Sequence, residues 1–222
     1  MSAVWGVLFD LDGTLIDTRD AILHAYRRTF EQEVGRPMPK ELENPHVLMA
    51  PRPIEIFRSW VPEGDSLRLA AAYGQFYLAE GYRKARPFPD VVELLTGLDE
   101  AGVPFGIVTN KGRPRAEQDL AWVGLRADRF RCVVTAEDSI ERKPDPTPIR
   151  IGARRAGLDP GVSWYVGDGP QDVLGGRAAG MRTAGAGYGY YGPEALQLHH
   201  PDLLLQTPTD LLTGFRAEEG AR

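Results

Sequence analysis

Short apolar runs that end on polar residues recur along this chain, and stretches of helical periodicity fill the gaps between them. The first run is VWGVLFD at 4–10. VPFGIVTN at 103–110, FRCVVTA at 130–136 and SWYVGD at 163–168 repeat the pattern, and MRTAGAG at 181–187 is a weaker instance. A short, continuously apolar run suits a strand buried on both faces, as in a parallel sheet. The intervening segments, 89–102, 113–125, 145–158 and 170–180, read as helices and close near a glycine, a common helix stop. Strand alternating with helix predicts an α/β fold built on a doubly wound, Rossmann-like parallel sheet.

Residues 18–86 break that alternation. DAILHAYRRTFEQEVG places Ala21, Ile22, Ala25, Tyr26 and Phe30 at helical spacing, and PRPIEIFRSWV and SLRLAAAYGQFYLAEGYRK follow. The expectation is a helical domain at 18–86 inserted into a core domain of 1–17 and 87–222, with hinges near 17–20 and 85–89. The stretch DLLLQTPTDLLTGF predicts a last short strand and helix, then a frayed polar end.

Composition excludes several classes of function. Net charge is −5 with no polybasic block, which argues against a nucleic-acid partner. Cys132 is the only cysteine, so no intrachain disulfide can form; this fits a reducing compartment, and the apolar run around Cys132 predicts inert packing. No basic segment followed by a long apolar one opens the chain, and no run approaches a membrane span. Neither a signal peptide nor a membrane partner is expected, and the expected location is the cytoplasm.

In an open parallel sheet, ligands sit beyond the carboxyl ends of the strands. The first run ends in Asp10, with Asp12 two residues on and Asp17 beyond it. The second ends in Thr109 and Asn110. The fourth leads into GDGPQD, with Asp168 and Asp172, and Lys143 stands in ERKPDP between the third run and the next helix. Clustered carboxylates repel one another unless a divalent cation neutralises them, and hard oxygen ligands suit Mg²⁺, which often bridges to phosphate. Lys143 and the Thr109 hydroxyl suit the oxygens of a phosphoryl group. Asp10 is placed to attack phosphorus, and Asp12 to protonate the leaving oxygen and then activate water. Gly13 allows the chain to turn sharply after them.

The segments DLDGTLID, VTNK, RKPDP and GDGPQD, in that order, resemble the four motifs of the haloacid dehalogenase-like phosphohydrolases over nearly the whole chain. The resemblance implies an aspartyl-phosphate on Asp10, acid–base work by Asp12, and phosphoryl binding by Thr109, Asn110 and Lys143. It implies Mg²⁺ held by Asp10, the Asp12 carbonyl and Asp168, with Asp172 supporting the metal's water shell. Dehalogenases of the superfamily lack the second acid, so Asp12 points to phosphoryl transfer. The insertion after the first motif resembles a C1-type cap. TNK, GYGYYGPEAL and PDLLLQTPTDLL look most like the phosphoglycolate phosphatase branch, although related caps serve pyrophosphatases and sugar phosphatases.

The implied activity is a Mg²⁺-dependent phosphatase for a small phosphorylated metabolite, first of all phosphoglycolate, acting as a monomer or homodimer. Pyrophosphatase, sugar phosphatase and phosphomutase are the alternatives. A catalytically silent binding protein would have lost Asp10, Asp12 or Lys143. The β-phosphoglucomutase branch carries a histidine five positions after the last Asp of the first motif, where this chain has Ile22. Arg52, with Arg27 or Arg28, is the candidate to pair with a substrate carboxylate. The four histidines show no ligand spacing. Asp90 stands where relatives have glycine and is expected to cap a helix.

Overall fold

The computed structural model describes residues 4–48 and 51–213. The chain divides into two compact units. One is Thr18–Arg86, and the other takes the residues up to Asp17 and from Pro87 onward. No helix among the described residues is long and apolar enough to cross a membrane.

Thr18–Arg86 is helical. Its α-helices are α1 (Arg19–Thr29), α2 (Pro45–Leu48), α3 (Pro53–Trp60) and α4 (Ser66–Ala79). α1 and α3 both pack on α4. The core between them is aromatic, with the Tyr26 ring 4.4 Å from Tyr73 and 5.5 Å from Phe57, and Phe30 5.7 Å from Phe57. Asp65 caps α4 by accepting from the Leu67 and Arg68 amides at 3.0 and 3.1 Å. Its exposed carboxylate thus serves two of the amide donors that a helix start leaves unpaired. The helical spacing read from the sequence finds Ala21, Ala25, Tyr26 and Phe30 buried, while Ile22 is half-buried and Leu23 takes an inner position.

The other unit holds a six-stranded sheet. Its strands are β1 (Val7–Phe9), β2 (Phe105–Val108), β3 (Val133–Val134), β4 (Trp164–Gly167), β5 (Arg182–Ala186) and β6 (Leu203–Leu205). The spatial order is 3-2-1-4-5-6, and every pairing is parallel. β1 is central, with Phe9 facing Ile107 on one side and Val166 on the other. The helices are α5 (Val91–Glu100), α6 (Arg113–Trp122), α7 (Thr147–Ala156), α8 (Pro170–Ala178) and α9 (Gly192–Gln197). α7 packs on β1, β2 and β3, and α8 on β4 and β5. Leu8, Val108, Val134, Ile149, Ala153 and Tyr165 form one buried cluster in which Cys132 also sits. Burial pushes the Cys132 thiol up to about 11, which suits inert packing.

The order 3-2-1-4-5-6 has a functional consequence. The chain winds outward from β1 in one direction and then from β4 in the other, so a crevice opens at the carboxyl ends of β1 and β4. Asp10 follows β1 directly and Asp168 follows β4 directly. The sheet therefore delivers two carboxylates from distant parts of the chain to one switch point.

β5 bears out the strand read at 181–187 but not its weakness, and α9 falls outside the sequence reading. MRTAGAG, the weakest of the five runs, forms the longest strand of the sheet, β5. Glycine and alanine have low strand propensity, but a position between two paired neighbours overrides it. Gly192–Gln197, for which the sequence reading gives no element, is α9, with Pro193 in its first turn. At the C-terminal end, β6 and a helical turn at 210–213 match the expected strand and helix, and the polar end at 214–222 lies outside the described residues.

Asp90 occupies the N-cap position of α5, as its sequence position suggests, but its side chain makes no capping hydrogen bond. Its φ is 65°, in the left-handed region. This backbone shape explains a preference for glycine there, since an L side chain costs roughly 1–2 kcal/mol in that region. Asp90→Gly is accordingly expected to raise the midpoint of thermal unfolding by about 2–8 °C, and Asp90→Ala to lower it. A thermal melt in which glycine lowers the midpoint would contradict the strain.

Candidate active site

Four oxygens lie within reach of one ammonium group. The Nζ of Lys143 donates to the Val108 carbonyl at 3.0 Å, the Tyr165 hydroxyl at 2.8 Å and Asp172 Oδ1 at 2.7 Å. Asp10 Oδ1 lies 2.8 Å from the same nitrogen. An ammonium has three protons, and the other three oxygens use them. Asp10 Oδ1 is thus held by charge but accepts no hydrogen bond, although it is buried. The backbone fixes both partners. Asp10 N donates to the Val166 carbonyl at 2.8 Å. The side-chain amide of Asn110 accepts from Lys143 N at 3.1 Å and donates to the Lys143 carbonyl at 3.2 Å.

Asp168 is placed by close backbone approach. Gly13, with φ of 82°, passes so near that an added Cβ would lie 2.2 Å from Asp168 Oδ2; a Cβ on Gly189 would lie 2.3 Å from the Asp168 Cβ. Only a residue without a side chain fits at either point. The amide of Tyr190 donates to Asp168 Oδ2 at 2.9 Å. The hydroxyl of Tyr188 donates to the Thr14 carbonyl at 3.1 Å and that of Tyr190 to Asp17 Oδ1 at 3.3 Å. The YGYYG loop is thus bound to the first motif and to Asp168.

The electrostatics of this pocket are unbalanced. Asp10, Asp168, Asp172 and Lys143 are all buried, with relative exposures of 6, 2, 1 and 5%. Three carboxylates against one ammonium leave two negative charges in excess. Burial therefore pushes Asp10 up to about 7, with Lys143 opposing and Asp172 and Asp12 adding to the rise. Burial, then Asp172 and Asp10, hold Asp168 well above the usual carboxylate range. For Lys143, burial works against the charge, yet Asp10 and Asp172 outweigh it and keep the group well above an ordinary lysine.

A divalent cation fits this site. Asp10, Asp168 and Asp172 each offer an oxygen, and the three oxygens lie within 4.8 Å of one another. The excess of two negative charges and the unbonded Asp10 Oδ1 are what a hard dication would satisfy. Asp172 is the most committed of the three: Oδ1 accepts from Lys143 and Oδ2 from the Gly169 amide at 3.0 Å.

The structure brings Asp10, Asp12, Thr109, Asn110, Lys143, Asp168 and Asp172 into one unit, on the loops that leave β1, β2 and β4, the one before α7, and the first turn of α8. Thr109 is buried, and its Oγ1 accepts from Lys111 N at 3.1 Å. The Asn110 amide, expected to face substrate, is engaged with the Lys143 main chain. Arg52 belongs to the helical unit. There its guanidinium bonds Glu55 through Nε at 2.8 Å and Nη2 at 2.6 Å, and its amide donates to the other Glu55 oxygen at 2.8 Å. Arg27 pairs with Glu43 at 2.7 Å, and Arg28 lies over the Phe76 ring at 5.3 Å.

Sequence reasoning passed over Lys111, Asp119, Tyr165 and Tyr190. Lys111 Nζ contacts Asp12 Oδ1 at 2.7 Å and Asp119 Oδ2 at 2.5 Å. Burial disfavours its charge, but Asp12 and Asp119 prevail and hold its pKa above the ordinary value. Asp119 carried a signal that was available: it is an acid at the same helical spacing as Ala116 and Leu120 on the buried side of α6. Tyr165 offered no such signal, because a tyrosine in a buried strand reads as packing.

Residues 7–186 match the haloacid dehalogenase-like hydrolase family. Pyrophosphatase PpaX of Bacillus velezensis is 34% identical over 209 residues, covering 94% of this chain and 95% of the relative. Phosphoglycolate phosphatase of Yersinia pseudotuberculosis is 30% identical over 220 residues, covering 95% and 92%. Among solved structures, a haloacid dehalogenase-like hydrolase from Streptococcus pneumoniae superposes with a TM-score of 0.83 at 25% identity, over 97% of this chain and all of the other. With the strand order, the switch-point carboxylates and the buried lysine, these likenesses make the chain a member of the haloacid dehalogenase-like hydrolase family.

Proposed function

We propose that the protein is a Mg²⁺-dependent phosphatase that hydrolyses a small phosphorylated metabolite through an aspartyl-phosphate on Asp10. The observation that carries this reading is the Asp10 carboxylate at the switch point: it is buried, charge-paired with Lys143, and has an oxygen that accepts no hydrogen bond. Asp10 attacks phosphorus and the bond to the leaving oxygen breaks. Asp12 gives that oxygen its proton. Asp12 then takes a proton from the water that attacks the phosphorus of the aspartyl-phosphate, which releases inorganic phosphate and restores Asp10. Lys143 and Thr109 hold the phosphoryl oxygens. Asp10, the Asp12 carbonyl and Asp168 would hold the cation, with Asp172 beside them. A bound Mg²⁺ supplies neutralisation of the carboxylates and polarisation of the phosphoryl group. The helical unit Thr18–Arg86 takes the part of the substrate-reading cap that the family resemblance assigns to it.

Two substrate readings remain, each with its own support. Phosphoglycolate follows from the motif resemblance and from the Yersinia relative. Pyrophosphate is favoured by several relatives named pyrophosphatase PpaX, at 31–34% identity. It is also favoured by the engagement of Arg52 with Glu55, which makes that arginine a weaker candidate for reading a substrate carboxylate. Phosphoglycolate, pyrophosphate, sugar phosphates and p-nitrophenyl phosphate, ranked by kcat/KM, separate the readings. Inorganic phosphate is the expected product from each substrate accepted, and Asp10→Asn is expected to lose at least about a thousandfold in kcat while melting at a similar temperature. Near-wild-type turnover by that variant would refute the mechanism.

The metal assignment has a test independent of activity. Without the cation, the raised pKa of Asp10 means the folded state binds protons that the unfolded state has already lost. Stability contributed by that group is present below about 3.8 and is lost as pH rises toward about 7. A cation displaces those protons and so binds better at higher pH. Mg²⁺ is therefore expected to raise the melting temperature of chelator-treated protein strongly at about pH 7.5 and weakly at about pH 5. An equal shift at both, or none, would count against these carboxyls as the ligands.

A further inference from the structure

Lys111 ends the TNK segment, immediately after Thr109, which holds the phosphoryl group, and Asn110, which fixes Lys143, yet its side chain turns to Asp12. The side chain is 4% exposed, and the carboxylate that holds its other side, Asp119, is completely buried. Asp119 lies on α6, a ten-residue helix, so its position is set by the helix rather than by the site. Asp12 sits on the turn after β1 with its side chain 24% exposed. The chain of contacts runs one way: a fixed carboxylate holds an ammonium, and the ammonium holds a carboxylate on a turn.

Burying Lys111 with Asp119 has no evident stability advantage. Such pairs are often replaceable by apolar residues of similar volume without loss, because desolvation offsets their attraction. What the pair does provide is direction. An aspartate carboxyl, on its single methylene, can rotate about χ1 and χ2, and a proton donor must lie within hydrogen-bond reach of the leaving oxygen. Lys111 Nζ, 2.7 Å from Asp12 Oδ1, removes that freedom.

The geometry points to Lys111, anchored by Asp119, as a positioning residue that aims the Asp12 carboxyl at the leaving-group oxygen. This rests on the assignment of Asp12 as proton carrier made above. Lys111 itself transfers no proton and touches no reacting atom.

The dependence on leaving group tests it. p-Nitrophenolate departs with little need of a proton, whereas phenolate, with the acidity of a tyrosine side chain, about 10, does need one. The two esters have nearly the same shape, and kcat/KM reports the step in which the leaving group departs. In Lys111→Met the ratio of kcat/KM for phenyl phosphate to that for p-nitrophenyl phosphate is expected to fall at least about tenfold, within the range that general acid catalysis supplies. Lys111→Met/Asp119→Asn, which removes both buried charges together, is expected to show the same fall and keeps the test readable if the single variant folds poorly.

Asp12→Asn is measured in parallel, and a fall in its ratio establishes the acid role. If the ratio falls in Asp12→Asn but holds in the double variant, the positioning role is wrong while the mechanism stands. A loss of equal size for both esters in the Lys111 variants also overturns it, because general distortion does not distinguish leaving groups. If the ratio holds even in Asp12→Asn, the acid assignment fails and the role of Lys111 fails with it.

Discussion

Among the described residues, the ammonium of Lys143 is the one positive charge set against the buried carboxyl groups Asp10, Asp168 and Asp172, and it reaches four segments of the fold at once. Asp10 follows β1, the Val108 carbonyl closes β2, the Tyr165 hydroxyl comes from β4, and Asp172 belongs to the first turn of α8. Removing that ammonium would leave the buried carboxyl groups uncompensated, at a cost of about 3–5 kcal/mol. Lys143 therefore joins stability to chemistry: the contact that lets Asp10 exist as a buried carboxylate also keeps it at the switch point. The Asn110 amide, bonded twice to the Lys143 main chain, fixes where the ammonium can reach.

A single ammonium cannot neutralise this pocket, and the remaining two charges are the physical argument for a dication. The surrounding backbone keeps the carboxylates close in spite of their repulsion. Gly13 and Gly189 come to within a side chain's width of Asp168, and the Tyr190 amide donates to it. Asp12 is handled differently: its side chain is 24% exposed, and a separate cation, Lys111, attends it. Two carboxylates two residues apart thus have different environments, which the proposed division between nucleophile and proton carrier requires.

Much of this was legible in the sequence, for a definite reason. Parallel sheets bury both faces of a strand, so β1, β2 and β4 stand out as apolar runs, and their polar ends mark the side of the sheet on which the chemistry lies. Asp10, Thr109 and Asp168 could be found this way, and Lys143 from its place between the third run and the next helix. β5 was faint because its glycine and alanine residues are set by close neighbours rather than by propensity. α9 was missed because its start lies in a glycine- and tyrosine-rich turn. The inward roles of Asn110, Tyr165, Lys111 and Asp119 depend on which face of a strand, turn or helix each side chain takes after packing. A lysine next to a motif reads as solvated until a buried acid is found opposite it. The φ of Asp90 was equally hidden, since an acid before a helix reads as a cap.

The nucleophile can be identified chemically. An acyl phosphate, unlike a free carboxylate, is reduced by borohydride to an alcohol, so a trapped aspartyl-phosphate becomes homoserine. Protein quenched during turnover of p-nitrophenyl phosphate with Mg²⁺, reduced and mapped by peptide mass spectrometry, should carry homoserine at position 10 and at no other aspartate; a control without substrate should carry none. Homoserine at a different residue, or none above the control although hydrolysis proceeds, would mean that Asp10 does not receive the phosphoryl group.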